Sequence, residues 1–290
     1  MKVGLRIGKK FMQECRVAFF YSRHIKAVSG QIRGVQVGTY LNAKLNPAIG
    51  YKNDVCVYVK SFPPENFPER SYVDVVDSKN LVYWVERHPR VGVIAISEVG
   101  QQYLSQTLNR KDVYLIPEHH CNFGRELRDN KDVLTVGYMG NKNGSIFTDE
   151  DIVSRKKTIN DITKRFSEIG LDFKFITHYP KREDVIEFYK SIDIQVLYKR
   201  RKQNQISKLN NPLKLTNAGS FGIPSVAYPE PTSQEWKGCF VEAESISEIL
   251  LQCKRLKEDK TLYEDMAGKA IEKSENYHIS KIAPLYMELK

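Results

Sequence analysis

Nothing in the 290-residue sequence approaches the roughly 20 consecutive apolar residues that a membrane-spanning helix requires. The opening MKVGLRIGKKFMQE lacks an apolar signal-peptide run, so no secretory signal is expected. Cysteine is scarce: Cys15, Cys56, Cys121, Cys239 and Cys253 are odd in number, scattered and never spaced Cys-x-x-Cys. That argues against a disulfide framework and a structural zinc site, and it fits reduced thiols in a cytoplasmic protein. Internal repeats of solenoid period and low-complexity tracts are missing too, which leaves an ordinary globular architecture.

What is present is a soluble composition, 41% hydrophobic and 28% charged, long enough for one large or two ordinary domains. The net charge of +10 favours an anionic substrate, an anionic lipid surface or nucleic acid as partner. Apolar runs predict buried strands of a parallel sheet at CRVAFFYS (15–22), NDVCVYVK (53–60), YVDVVDS (72–78), VGVIAIS (91–97) and the start of DVYLIPEHHCNF (112–123). After the first of these, Gly30, Gly34 and Gly38 stand four apart, and Ile32, Val35 and Leu41 are expected on the inner face of the following helix. The connection 41–52 is short for a helix–strand–helix unit, so this half reads as trimmed. The polar segment 124–132 suits a linker. A second alternation follows: strand VLTVGYMG, a helix with Ile159, Ile162, Phe166 and Ile169 on one face, strand DFKFIT, helix EDVIEFYKSI and strand DIQVLY. Later come strand CFVEA and a helix opened by the capping box Ser245-x-x-Glu248. The whole predicts an α/β protein with doubly wound parallel sheets.

The stretch KLNNPLKLTNAGSFGIPSVAYPEPTSQEW (208–236) organises the rest. It reads as a polar loop, a short helix starting near Pro212, a break at Gly222-Ile223-Pro224 and a buried strand SVAY. Asn210 and Asn211 can cap the helix, and Lys214 beside its free N–H groups makes an anion site. The pattern Pro-x-Lys-Leu, small residues, Gly-x-Pro-x-Val resembles the donor-binding signature of nucleotide-sugar-dependent glycosyltransferases with the GT-B fold, of the group 1 or family four type. VIAIS followed by VYLIPEHHCNF resembles the end of their N-terminal domain, and the tail YHISKIAPLYMELK resembles the terminal helix that crosses back to it. The competing reading is a Gly-x-Pro corner of another α/β protein.

The resemblance implies two Rossmann-like domains, acceptor-side over 1–126 and nucleotide-sugar-binding over 127–272, with 273–290 as the returning helix. It implies a UDP- or GDP-sugar donor and no cofactor. The Asp-x-Asp loop of the other glycosyltransferase fold is not recognised, so no essential divalent ion is expected. Donor contacts fall on Gly140, Asn141 and Lys142, on Tyr198 and Lys199, and on Asn211, Lys214, Leu215, Thr216 and Asn217. Gly30, Arg33 and Gly34 fall on the acceptor side. Asp77, His119 and His120 are the candidate bases, against a helix-cap role for Asp77 beside Ser78 and a packing role for the histidines. One departure stands out. A Glu-seven-residues-Glu pair would fall on Leu209 and Asn217, neither of them acidic, so inversion or retention stays open.

A glycan or lipid-linked acceptor is the default for such enzymes. A polyanion, either anionic lipid or DNA with a hydroxymethylated base, is the reading that Lys9, Lys10, Arg16, Arg23, Lys26 and Arg33 favour, interleaved with Phe11, Phe19, Phe20 and Tyr21. The alternative function is a catalytically inactive nucleotide-sugar-binding module. The sequence does not specify an oligomeric state.

Overall fold

The computed structural model describes residues 15–23, 28–129, 132–140, 155–177, 181–198 and 207–290. The first half builds β1 (Val17–Tyr21), a wide π-type helix Gly30–Gln36 running into α1 (Val37–Leu41), β2 (Lys44–Leu45), β3 (Val55–Val59) and β4 (Ser71–Asp74). It continues with α2 (Lys79–Glu86), β5 (Gly92–Ala95), α3 (Glu98–Thr107) and β6 (Val113–Leu115). The six strands pair in parallel in the order β2-β1-β3-β4-β5-β6. No helix lies between β2 and β3, and β2 has only two residues, which is the trimming expected of this half.

The second half builds β7 (Thr135–Met139), α4 (Arg155–Glu168), β8 (Asp172–Ile176), α5 (Arg182–Lys190), β9 (Ile194–Leu197), α6 (Leu213–Ser220), β10 (Ser225–Ala227) and β11 (Val241–Glu242). Its five strands are again parallel, in the order β11-β10-β9-β7-β8. Three helices follow, α7 (Ile246–Glu258), α8 (Lys260–Glu275) and α9 (Ile279–Leu285). The central strands are almost wholly apolar because both faces of a parallel sheet are covered. Val55, Cys56, Val57, Tyr58 and Val59 of β3 are all buried.

In each sheet the chain first adds a strand on one side of its opening strand and then crosses to the other. The reversals lie between β1 and β3 and between β7 and β9, and ligands of open α/β sheets bind in the crevice outside such a switch point.

Helix α9 does not stay with the second sheet. Ile279, Ile282, Ala283, Tyr286 and Leu289 complete the core over β1, β3 and β4, with Tyr286 edge-on to Phe19 at 5.1 Å.

Two local readings are refined. Gly30, Arg33, Gly34, Val37 and Gly38 form the buried face after β1, while only Leu41 of the expected Ile32, Val35 and Leu41 reaches the edge of the core. The reason is close approach: a Cβ on Gly34 would stand 2.6 Å from the Tyr21 ring. At the start of α7, Ser245 Oγ accepts from Glu248 N at 3.1 Å, but the Glu248 carboxylate takes the N–H of Glu244 rather than that of Ser245.

Helix α6 lies directly against α8. A Cβ on Gly219 would stand 2.8 Å from the Ala270 carbonyl oxygen, which is backbone and cannot swing aside. Gly219→Ala is therefore expected to lower stability by about 1–3 kcal/mol in denaturant unfolding. Gly268→Ala is the control. Its position inside α8 has no atom within 4 Å of a new Cβ, so it should gain about 0.5–1 kcal/mol from helix propensity.

Candidate functional site

The carboxyl ends of the two sheets face each other across a cleft of about 280 Å³. Its second-domain wall is the start of α6, with Tyr138 from β7 and Tyr198 after β9. Pro212 is the residue that starts this helix, and Asn211 just before it accepts from Leu213 N with its Oδ1 at 3.1 Å. A buried side chain fixes the first turn from below. Gln195 of β9 donates to the Lys214 carbonyl at 3.0 Å and is itself held by Tyr189 Oη at 2.8 Å and Ser225 Oγ at 3.1 Å. The Lys214 ammonium lies 5.1 Å from the centre of the Tyr138 ring. Backbone N–H groups, a cation and an aromatic ring thus converge at one end of the cleft, an arrangement that attracts phosphate.

Leu215, Tyr198 and Asn211 line the cleft as the sequence reading places them, and Tyr198 stands edge-on to Tyr228 at 5.9 Å. Thr216 and Asn217 do not. Thr216 Oγ1 donates to the Pro212 carbonyl at 3.1 Å, and Asn217 Oδ1 accepts from Cys121 N at 2.9 Å. With Asn122 donating to the Ser220 carbonyl at 2.7 Å, Asn217 clamps α6 to the segment after β6, so its amide faces the first domain. Gly140 follows β7 with its N–H on the Ile176 carbonyl at 3.0 Å, and Asn141, Lys142 and Lys199 lie outside the described residues.

The first-domain wall differs more from expectation. Gly30 and Gly34 are packed against Tyr21, and Ser29 and Ile32 line the cleft instead. Arg33 is not an acceptor contact. Its side chain is 1% exposed, with Nε 2.6 Å from Asp74 Oδ2 and Nη2 donating to the Ile116 carbonyl at 2.8 Å. Burial pulls its pKa down, but the adjacent Asp74 more than restores it and keeps the guanidinium charged.

Neither His119 nor His120 lines the cleft. His119 lies in the packing with its ring nitrogens 3.0 Å from the Ile32 carbonyl and 3.1 Å from that of His120. His120 accepts from Asn122 N at 3.2 Å and packs against His278, the ring centres 5.3 Å apart. Burial pulls their pKa values to about 4 and about 3, so both are neutral structural groups near pH 7. Asp77 does reach the cleft, on its rim, ion-paired with Lys60 at 2.6 Å. Ser78, not Asp77, caps α2.

Sequence reading passed over Glu118. It follows β6 directly after Pro117, is 5% exposed, lines the cleft and accepts a hydrogen bond from Asn211 Nδ2 across it. Burial pushes its carboxyl up to about 7, with Arg33 opposing and Asp74 and Asp77 adding to the rise. The signal available was position, since a carboxylate immediately after a strand–proline end faces the crevice. Among the described residues no group of three or more His, Cys, Asp or Glu side chains is placed to hold a metal ion.

Two parallel, doubly wound domains facing each other across a cleft at their strand ends define the GT-B fold, and solved structures of that fold superpose on this chain. A glycosyltransferase from Rickettsia africae ESF-5 does so with a TM-score of 0.55 at 9% identity, covering 95% of this chain and 99% of that one. HepE of Anabaena, solved with UDP and glucose, gives 0.53 at 13% identity, covering 93% of this chain and 77% of that one. TarM gives 0.50 at 13% identity over 83% of this chain, which spans only 51% of TarM. No family model and no curated protein sequence matches the chain. The likeness is one of fold.

Proposed function

We propose that the chain is a glycosyltransferase that moves a sugar from a nucleoside diphosphate donor to an acceptor hydroxyl. The observation that carries this reading is the pinned start of α6 with Lys214 at the interdomain cleft. As the glycosidic bond breaks, negative charge grows on the departing diphosphate. Preoriented N–H groups and an ammonium stabilise that charge more than they stabilise the intact donor. HepE, which shares the fold, was solved with UDP-glucose, and this supports the reading by analogy.

The test is a screen of UDP- and GDP-sugars that reads melting temperature and released nucleotide together. UDP or GDP is expected to stabilise the protein, by about 2.7 kcal/mol at a hundredfold excess over Kd. At least one donor should also be turned over. Stabilisation without turnover over a broad acceptor panel would mark a nucleotide-sugar-binding module. That second reading is favoured by Leu209 and Asn217, where an acidic pair would stand. Leu209 is buried in the first domain's core, and Asn217 is bonded to Cys121.

A neutral acceptor, glycan or lipid-linked, fits the site better than a phosphate chain. The first-domain wall presents the carboxyl groups of Asp77 and Glu118, and Arg33 is engaged in the interior, while Lys9, Lys10, Phe11 and Lys26 lie outside the described residues. Duplex-DNA titration against salt is expected to give a log–log slope near zero. A slope of about −0.9 per phosphate contacted would reinstate a nucleic-acid acceptor.

A further inference from the structure

Resting on that reading, we propose that Glu118 is the catalytic base that takes the acceptor hydroxyl's proton, its carboxyl group held at the donor end of the cleft by Asn211. The observations are geometric. Glu118 stands three residues beyond the end of β6 in the acceptor-side domain, and its Oε2 accepts from Asn211, three positions before Lys214. No other hydrogen bond reaches the carboxyl group among the described residues. On the first-domain side the other carboxyl groups are bound to cations, Asp74 to Arg33 and Asp77 to Lys60, while Glu230 belongs to the opposite wall. Tyr286, a further titratable neighbour, donates to Asp74 at 3.3 Å, and Lys214, Tyr138, Tyr198, Tyr228 and Glu230 face the cleft from the other wall. Glu118 thus combines access to the cleft with a carboxyl group that no cation among the described residues holds in an ion pair, which suits a base.

The step balances as follows. The acceptor oxygen bonds to the anomeric carbon as the bond from that carbon to the diphosphate oxygen breaks, and the electron pair leaves with the diphosphate. The hydroxyl proton passes to Glu118, which returns it to water once the product has gone. Burial disfavours the charged form and raises the carboxyl's basicity, and the uncharged Asn211 amide, which bonds the carboxylate, offsets this only in small part.

The test uses the full chain with UDP-glucose and GDP-mannose as donors, water or an acceptor panel, and Glu118→Gln. The amide can keep a bond to Asn211, so the variant should fold and retain its nucleotide-induced thermal shift. Its turnover is expected to fall on the order of 10²–10⁴-fold. For the wild type, kcat/KM should rise with pH through an ascending limb centred near 7, as the buried carboxyl ionises. Glu118→Gln should lose that limb.

Turnover within about threefold of wild type with the limb intact would overturn the assignment and leave the transfer reading standing. A wild-type profile with no ascending limb anywhere between about pH 4 and 8 would overturn it as well, without any variant. Wild-type protein that binds UDP or GDP yet never releases nucleotide from any donor would overturn both.

Discussion

Lys214→Ala is expected to cut donor turnover on the order of 10²–10³-fold, the usual cost of removing one preoriented charge-stabilising group. Folding should be nearly unaffected. The ammonium contributes a cation–ring contact with Tyr138, of about 0.5–1 kcal/mol at partly open sites, while the turn it sits on is fixed through its backbone carbonyl by Gln195. The discriminating measurement is nucleotide release at saturating donor alongside the melting temperature. Loss of rate in a protein that melts as the wild type does is the expected result. Lys214→Arg should recover part of the rate, since a guanidinium restores charge but not shape. A folded Lys214→Ala protein with wild-type turnover would remove the diphosphate role.

The largest expected loss of stability lies deeper. Arg33→Met would leave the Asp74 carboxylate at 0% exposure with the Tyr286 hydroxyl and the Val76 backbone but no cation beside it, and breaking a buried pair from one side costs about 3–5 kcal/mol. Burial already pushes the Asp74 carboxyl up, and Arg33 is what opposes it. Without Arg33 the carboxyl rises further. The variant's deficit should therefore be greatest near pH 7 and shrink as pH falls and Asp74 takes a proton. Urea unfolding at a series of pH values reads this directly. The double variant Arg33→Met with Asp74→Leu should recover most of the loss. The native pair leaves Arg33 Nη1 and Asp74 Oδ1 with no hydrogen-bond partner among the described residues, and a well-packed apolar pair avoids that cost.

That same pair shows where sequence reading stopped. Runs such as NDVCVYVK announce a parallel strand because every residue must be apolar when both sheet faces are covered. The fold could be read from such runs and their order. Pro212, Lys214 and the Gly222 turn, with φ at +71°, were legible for a similar reason, since each is fixed by local backbone geometry. The inward turn of Arg33 was not legible. It depends on Asp74, forty-one positions away, and on a glycine face that lets the helix sink onto Tyr21. Glu118 and His119 are adjacent, yet one lines the cleft and the other packs against the Ile32 carbonyl. That division is set by tertiary contacts alone.

The return of α9 also bears on how the molecule is made. Tyr286 meets Asp74 across 212 positions, and Arg70 donates to the Leu289 carbonyl across 219. Emerging from the ribosome, the first sheet can pair its strands early, but part of one side stays uncovered until α9 has been made, beyond the whole second sheet. That apolar side is the surface a chaperone would have to shield during synthesis.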